Sequence, residues 1–275
     1  MSKCDLFQQI SQQVWDEISK NHKRGNRLNE EGITRNTVIG LIQDYTESQR
    51  DIDVFVQKAK KEVETGADLE VYFEAGRGKF KRILLQAKLM EPDGCFEHLD
   101  RYSGSTGRKQ YDTLSSFAKE VESEAYYLMY NGYHGYKETG TDCSGNYDER
   151  QLGCAIMQIG EIKDHCEKKS TGKMGNIGSP KPFGKPWRQL SCCNQPFAKT
   201  KLYSAEEIDY DPYFKQLFSD HKSGAIEFIN QKKFIDEMLT TESNKTIHVA
   251  GWNPAARIIV SENTMRKNGR GKLEL

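Results

Sequence analysis

Apolar residues at Leu6, Ile10, Val14 and Ile18 recur every four positions, which predicts a helix over 4–20. His22 to Asn29 is a polar break. Thr34 is a helix-capping residue type, and Val38, Leu41 and Ile42 behind it predict the buried side of a second helix. Residues 52–56 (IDVFV) and 66–73 (GADLEVYF) read as strands. Two glycines in Glu74-Ala75-Gly76-Arg77-Gly78-Lys79 mark a hairpin loop, and 80–89 (FKRILLQAKL) is the returning strand. Residues 91–109 read as a long polar loop, 112–123 as a helix and 125–130 (AYYLMY) as a short strand. A loop from 132 to about 151, a helix over 152–168 and a Gly/Pro-rich loop over 170–186 follow. Further on, Ser204 and Glu207 form a capping box, 224–240 reads as an amphipathic helix, and 246–250 and 257–260 as strands.

The chemistry concentrates in 66–88. Asp68 and Glu70 are two apart on one strand, and Gln86 and Lys88 are two apart on the next, so each pair shares a face. The hairpin makes the strands antiparallel neighbours. Two carboxylates, an amide and an ammonium then converge on one patch, with head groups on the order of 4–8 Å apart. Leu69, Val71, Leu85 and Ala87 point the other way, into a core. Such oxygen groups suit magnesium, and a lysine beside them can orient an attacking water or offset charge on a phosphate. The same residue types also occur on solvated sheet faces, where cross-strand charge pairs stabilise slightly. Three apolar residues precede Gln86, however, which predicts a strand buried on both faces, where a lysine needs a partner.

Composition narrows the classes. Lys plus Arg and Asp plus Glu both total 40, so the net charge is 0 and a globally cationic nucleic-acid coat is excluded. Aromatics at 10% argue against disorder. No apolar run is long enough to span a bilayer, and the N-terminus lacks a signal-peptide core, so a cytoplasmic protein without a membrane partner is expected. Seven cysteines without a C-x-x-C pair predict reduced thiols in place of a disulfide framework or a zinc site. The tyrosines at 126, 127, 130, 133 and 136 read chiefly as strand-core packing.

The order of pieces resembles the PD-(D/E)XK nuclease superfamily, particularly its Mrr-like restriction endonucleases, and an uncharacterised bacterial family of restriction-endonuclease-like proteins. The pieces are Glu30-Glu31-Gly32-Ile33-Thr34, Gly66 to Glu70, Leu85 to Lys88, and Tyr127 to Asn131. The resemblance covers residues 28–131 and implies an α/β fold: a restriction-endonuclease-like mixed central sheet flanked by helices. A mostly helical extension, 132–275, is expected to pack on that core within a single domain. By the resemblance, Asp68 is the central metal ligand, Gln86 a ligand through its side-chain oxygen, and Lys88 the catalytic lysine. Glu31, or alternatively Glu30, is the helix acid, and Glu70 is a second metal ligand or a partner for Lys88. The implied cofactor is Mg2+, with Mn2+ as a substitute. The implied activity is endonucleolytic hydrolysis of DNA in restriction or phage defence, with RNA and a homodimer left open. The other reading is a non-catalytic nucleic-acid- or protein-binding module on the same fold.

Overall fold

The four-residue apolar spacing at the N-terminus forms α1 (Lys3–Lys23). Ser2 and Asp5 close it with a reciprocal capping box, and Leu6, Phe7, Ile10, Val14 and Ile18 are buried along one side. The molecule is seen here as a computed structural model that describes residues 2–49, 53–59, 62–75, 78–102, 107–132, 148–175, 184–192, 200–204 and 206–209, with isolated positions 215 and 219.

The second helical stretch starts earlier than Thr34. Asn29 caps it, its Oδ1 accepting from the Glu31 amide at 3.0 Å. It runs through α2 (Glu30–Gly32), a π-helical segment (Ile33–Ile39) and α3 (Gly40–Ser48). Thr34 lies inside it, buried, in a 2.9 Å hydrogen bond with the Tyr130 hydroxyl. A capping residue type thus serves as a buried polar partner, and the true cap lies at the end of the polar break.

The central sheet is mixed. Its path is β1 (Val54–Lys58), β2 (Leu69–Glu74), β3 (Lys79–Leu89), β5 (Glu124–Tyr130), β6 (Cys154–Gln158) and β8 (Lys185–Pro186), with β9 (Leu202–Ser204) also pairing with β3. A separate ribbon joins β4 (Cys95–Phe96) to β7 (Met174–Gly175). The hairpin β2–β3 is antiparallel, as expected. β3 and β5 are parallel, with Gln86 opposite Tyr127 and Lys88 opposite Met129. That pairing needs a long connection, and the chain supplies one containing α5 (Gln110–Glu120).

The helix expected over 152–168 is instead a 3-10 turn (Glu149–Gly153), β6 and then α6 (Ile159–Lys169). Cys154, Ala155, Ile156 and Met157 are all buried, so the strand carries no alternation, and an apolar run of this length does not distinguish strand from helix by period. Gln158 and Glu161 form the capping box that starts α6. Short helices α4 (Glu62–Thr65) and α7 (Gln189–Cys192) complete the set.

Helices cover both faces. Leu85 and Ala87 of β3 join a core with α1, α3 and Trp187, while Leu84 joins a second core with α5 and α6. β3 is therefore buried on both sides, and its polar Gln86 and Lys88 fall on the Leu84 face by alternation. Tyr127 and Tyr130 are core residues. Among the described residues, no helix is long and apolar enough to cross a membrane. Cys95, Cys154 and Cys166 are free thiols, but Cys4 is disulfide-bonded, against the expectation of reduced cysteines throughout.

Compactness divides the chain into two units, 1–209 and 210–275. Glu207 accepts from the Ser204 amide at 2.8 Å, as a capping box requires, yet 206–208 form only a turn and bend. The expected helix 224–240 and strands 246–250 and 257–260 lie outside the described residues.

One close contact sets how α1 meets the sheet. A Cβ at Gly153 would stand 1.8 Å from the Ser11 carbonyl oxygen. Gly153→Ala must push α1 off the 3-10 turn and is expected to cost about 1–3 kcal/mol or more. A thermal melt would show a drop of several °C.

Candidate functional site

Asp68 sits just before β2. The turn that delivers it uses Gly66 at φ +71°, where a Cβ would lie 2.8 Å from the Leu114 amide of α5. Only glycine combines that backbone with so close an approach. The Asp68 amide then donates to the Leu85 carbonyl at 2.8 Å and continues the β2–β3 ladder. Its carboxylate Oδ2 accepts from the Ala87 amide at 2.7 Å and, in a close contact, from Gln86 Nε2.

Gln86 is fully buried, and its Oε1 has no hydrogen-bond partner. Lys88, also buried, donates from Nζ to Gln110 Oε1 at 3.4 Å, at the first turn of α5. Glu30 comes from the start of α2, where its Oε2 accepts from the Leu89 amide at 3.0 Å. Glu30, Asp68, Gln86 and Lys88 thus meet where β3 ends.

Electrostatics mark this place. Burial pushes the Asp68 carboxyl well above the usual carboxylate range, and the charges of Glu30 and Glu62 push it further. The Ala87 amide and the Lys88 ammonium oppose that. Glu30 is raised as well, by burial first, with Glu62 adding to it and Lys88, the Leu89 amide and Arg101 pulling back. Two half-buried acids lie close together, and their mutual repulsion disfavours ionising both.

Glu31 points elsewhere. It is exposed, 3.1 Å from Lys58 Nζ and 3.4 Å from Arg35, and these cations hold its carboxyl below the usual range. Adjacent helix positions face directions about 100° apart, so Glu30 and Glu31 do not share a site. Glu70 shares the sheet face of Asp68, but both its oxygens are engaged. Oε1 pairs with Arg82 at 2.6 Å, and Oε2 accepts from Tyr72 at 2.8 Å and Gln57 at 3.0 Å. The pair is nearly dry, and removing one member would leave a buried charge alone. The four expected residues thus divide: Asp68, Gln86 and Lys88 come together, while Glu70 belongs to a structural ion pair one step along the sheet.

Glu62 and Gln110 were not singled out by sequence reasoning. Gln110 carries no motif, and it matters because α5 begins beside Lys88. The polar break ending at Asn29 was the available signal for Glu30, since a helix capped there starts with it.

A model of a family of unknown function, DUF6615, matches residues 3–265. The chain belongs to that family. No curated protein matches it. The description of DUF6615 names no function.

Proposed function

We propose that this chain is a divalent-metal-dependent phosphodiesterase that cuts DNA, built on a PD-(D/E)XK-like frame. The observation that supports it most is the convergence of Asp68, Glu30, Gln86 and Lys88 at the end of β3. The donor set fits magnesium: two half-buried carboxylates with raised proton affinity and a buried amide oxygen without a partner. Among the described residues, no three His, Cys, Asp or Glu side chains group closely enough to hold a metal by themselves. Magnesium does not need that, because it keeps several waters and takes one or two carboxylates.

Asp68, Glu30 and the Gln86 oxygen would hold the ion, and the ion when bound would polarise a phosphate and lower the pKa of a water. The chain does the rest. The Ala87 and Leu89 amides fix one oxygen of each acid. Gln110 steadies the Lys88 ammonium, whose charge can then meet charge developing on a phosphate without reorganisation. Gln86 and Lys88 are buried, while Asp68 and Glu30 are half-buried, so solvent reaches the two acids.

Plasmid nicking in Mg2+ and in EDTA, with single-stranded DNA and RNA in parallel, tests this. Metal-dependent nicking is expected. Failure of every substrate in both Mg2+ and Mn2+ would leave the binding-module reading. The helix acid is decided by two variants: Glu30→Gln should weaken the Mg2+-induced rise in melting temperature and slow cleavage at least 10-fold, whereas Glu31→Gln should change neither.

A further inference from the structure

Tyr102 is 62% exposed, an uncommon position for so large a ring in this chain, where the other large exposed apolar side chain among the described residues is Leu202. A lone exposed aromatic means little, but this one is held in place. Tyr102 pairs backbone to backbone with Lys109. Lys109 Nζ lies 5.8 Å from the Tyr102 ring centroid and 5.7 Å from that of Tyr111, so one ammonium bridges two rings.

The rings and exposed Arg108 border a shallow cavity of about 510 Å3. Asp112 and Glu167 also line it, but Lys163 stands 2.9 Å from the first and 3.8 Å from the second. Lys109 is likewise 3.7 Å from Asp100. Those acids therefore meet cations, and the Arg108 side chain lines the cavity beside the rings.

The shelf is tied to the candidate site. Lys109 precedes Gln110, whose amide donates to the Arg101 carbonyl at 2.8 Å and whose Oε1 accepts from Lys88. Tyr102 is thus linked to the Lys88 ammonium through a strand spacing, one Cα step, a side chain and a hydrogen bond, a path on the order of 15–20 Å. A nucleotide chain with its phosphate at Lys88 spans that gap in a few nucleotides.

We propose that Tyr102, with Lys109 and Arg108, is a stacking shelf for an unpaired base a few nucleotides from the phosphate at Lys88. The inference rests on the nuclease reading and adds a substrate preference to it. Bases within a duplex are stacked on both sides, so an exposed ring finds a partner only where the strand is open. The shelf therefore favours single strands and tailed or gapped duplexes over blunt duplex.

Fluorescence anisotropy in EDTA, with labelled oligodeoxynucleotides as single strand, blunt duplex and tailed duplex, measures binding apart from cleavage. Wild type should bind the open forms more tightly than the blunt duplex. Tyr102→Ala should weaken single-strand and tailed binding about 5- to 100-fold, Tyr102→Phe should retain it, and blunt duplex should not respond. An unchanged melting temperature, expected for so exposed a ring, excludes misfolding. Equal binding of open forms by Tyr102→Ala and wild type would overturn the shelf, as would wild type binding no oligonucleotide. Tyr102-dependent binding without metal-dependent cleavage would sink the nuclease reading and keep the shelf. Metal-dependent cleavage indifferent to Tyr102 would do the reverse.

Discussion

Lys88→Ala is expected to lower cleavage by about 100- to 1000-fold while DNA binding stays near the wild-type level. One ammonium contributes little to an affinity spread over many phosphate contacts. Its value lies in the transition state, where a preorganised charge removed from a dry site typically costs that much. Lys88 is buried and donates to Gln110, so its charge is held where it acts. Raising Mg2+ should not rescue the variant, because the ammonium recruits no metal. The two measurements are a single-turnover cleavage rate and an anisotropy titration in EDTA. Wild-type cleavage by Lys88→Ala would make the lysine a mere counter-charge for Glu30 and Asp68, and the enzyme reading would fall.

Asp68→Asn should also abolish cleavage, and its second signature is thermodynamic. The folded-state pKa of Asp68 is raised, by burial and then by Glu30 and Glu62. The folded protein therefore binds that proton more tightly than the unfolded chain. Metal-free stability from this group is present below the ordinary carboxylate range and is lost as pH climbs through the raised value. Asp68→Asn removes the charge that causes the loss. At neutral pH without metal, the variant should melt a few °C above wild type, since about 1 kcal/mol is worth roughly 2–4 °C at this size. Mg2+ should then raise the wild-type melting temperature, by up to about 2.7 kcal/mol of stability at 100 times its Kd, and leave the variant nearly unmoved. A metal-free Asp68→Asn protein that melts below wild type would show that the two hydrogen bonds to Oδ2 outweigh the charge repulsion. Such a result would remove the electrostatic argument for a cation.

The elements that were legible in sequence were those whose burial is one-sided or whose turn chemistry is local. α1 shows its face every fourth residue, and the β2–β3 hairpin, though buried on both faces, is marked by the glycine-bearing loop between its strands. From the hairpin follows the shared face of Asp68, Gln86 and Lys88. β6 was not legible, because a strand covered on both sides loses its period and reads as any apolar run.

The amino-acid order by itself determined which chemical groups lie two residues apart on neighbouring strands, since strand geometry leaves no other choice. It did not determine which acids meet them. Glu30 and Glu31 are adjacent, and their division between a buried site and an exposed ion pair depends on where Asn29 caps the helix and how that helix lies on the sheet. Glu70 has the spacing of a site residue, yet Arg82, Tyr72 and Gln57 claim it, because each lies within reach only once β1, β2 and β3 are in register. Gln110 meets Lys88 because the parallel crossover brings α5 back over β3. Spacing along a strand is local and survives as sequence pattern, whereas partners drawn from distant segments are fixed only when burial makes an unpaired charge too costly to leave alone.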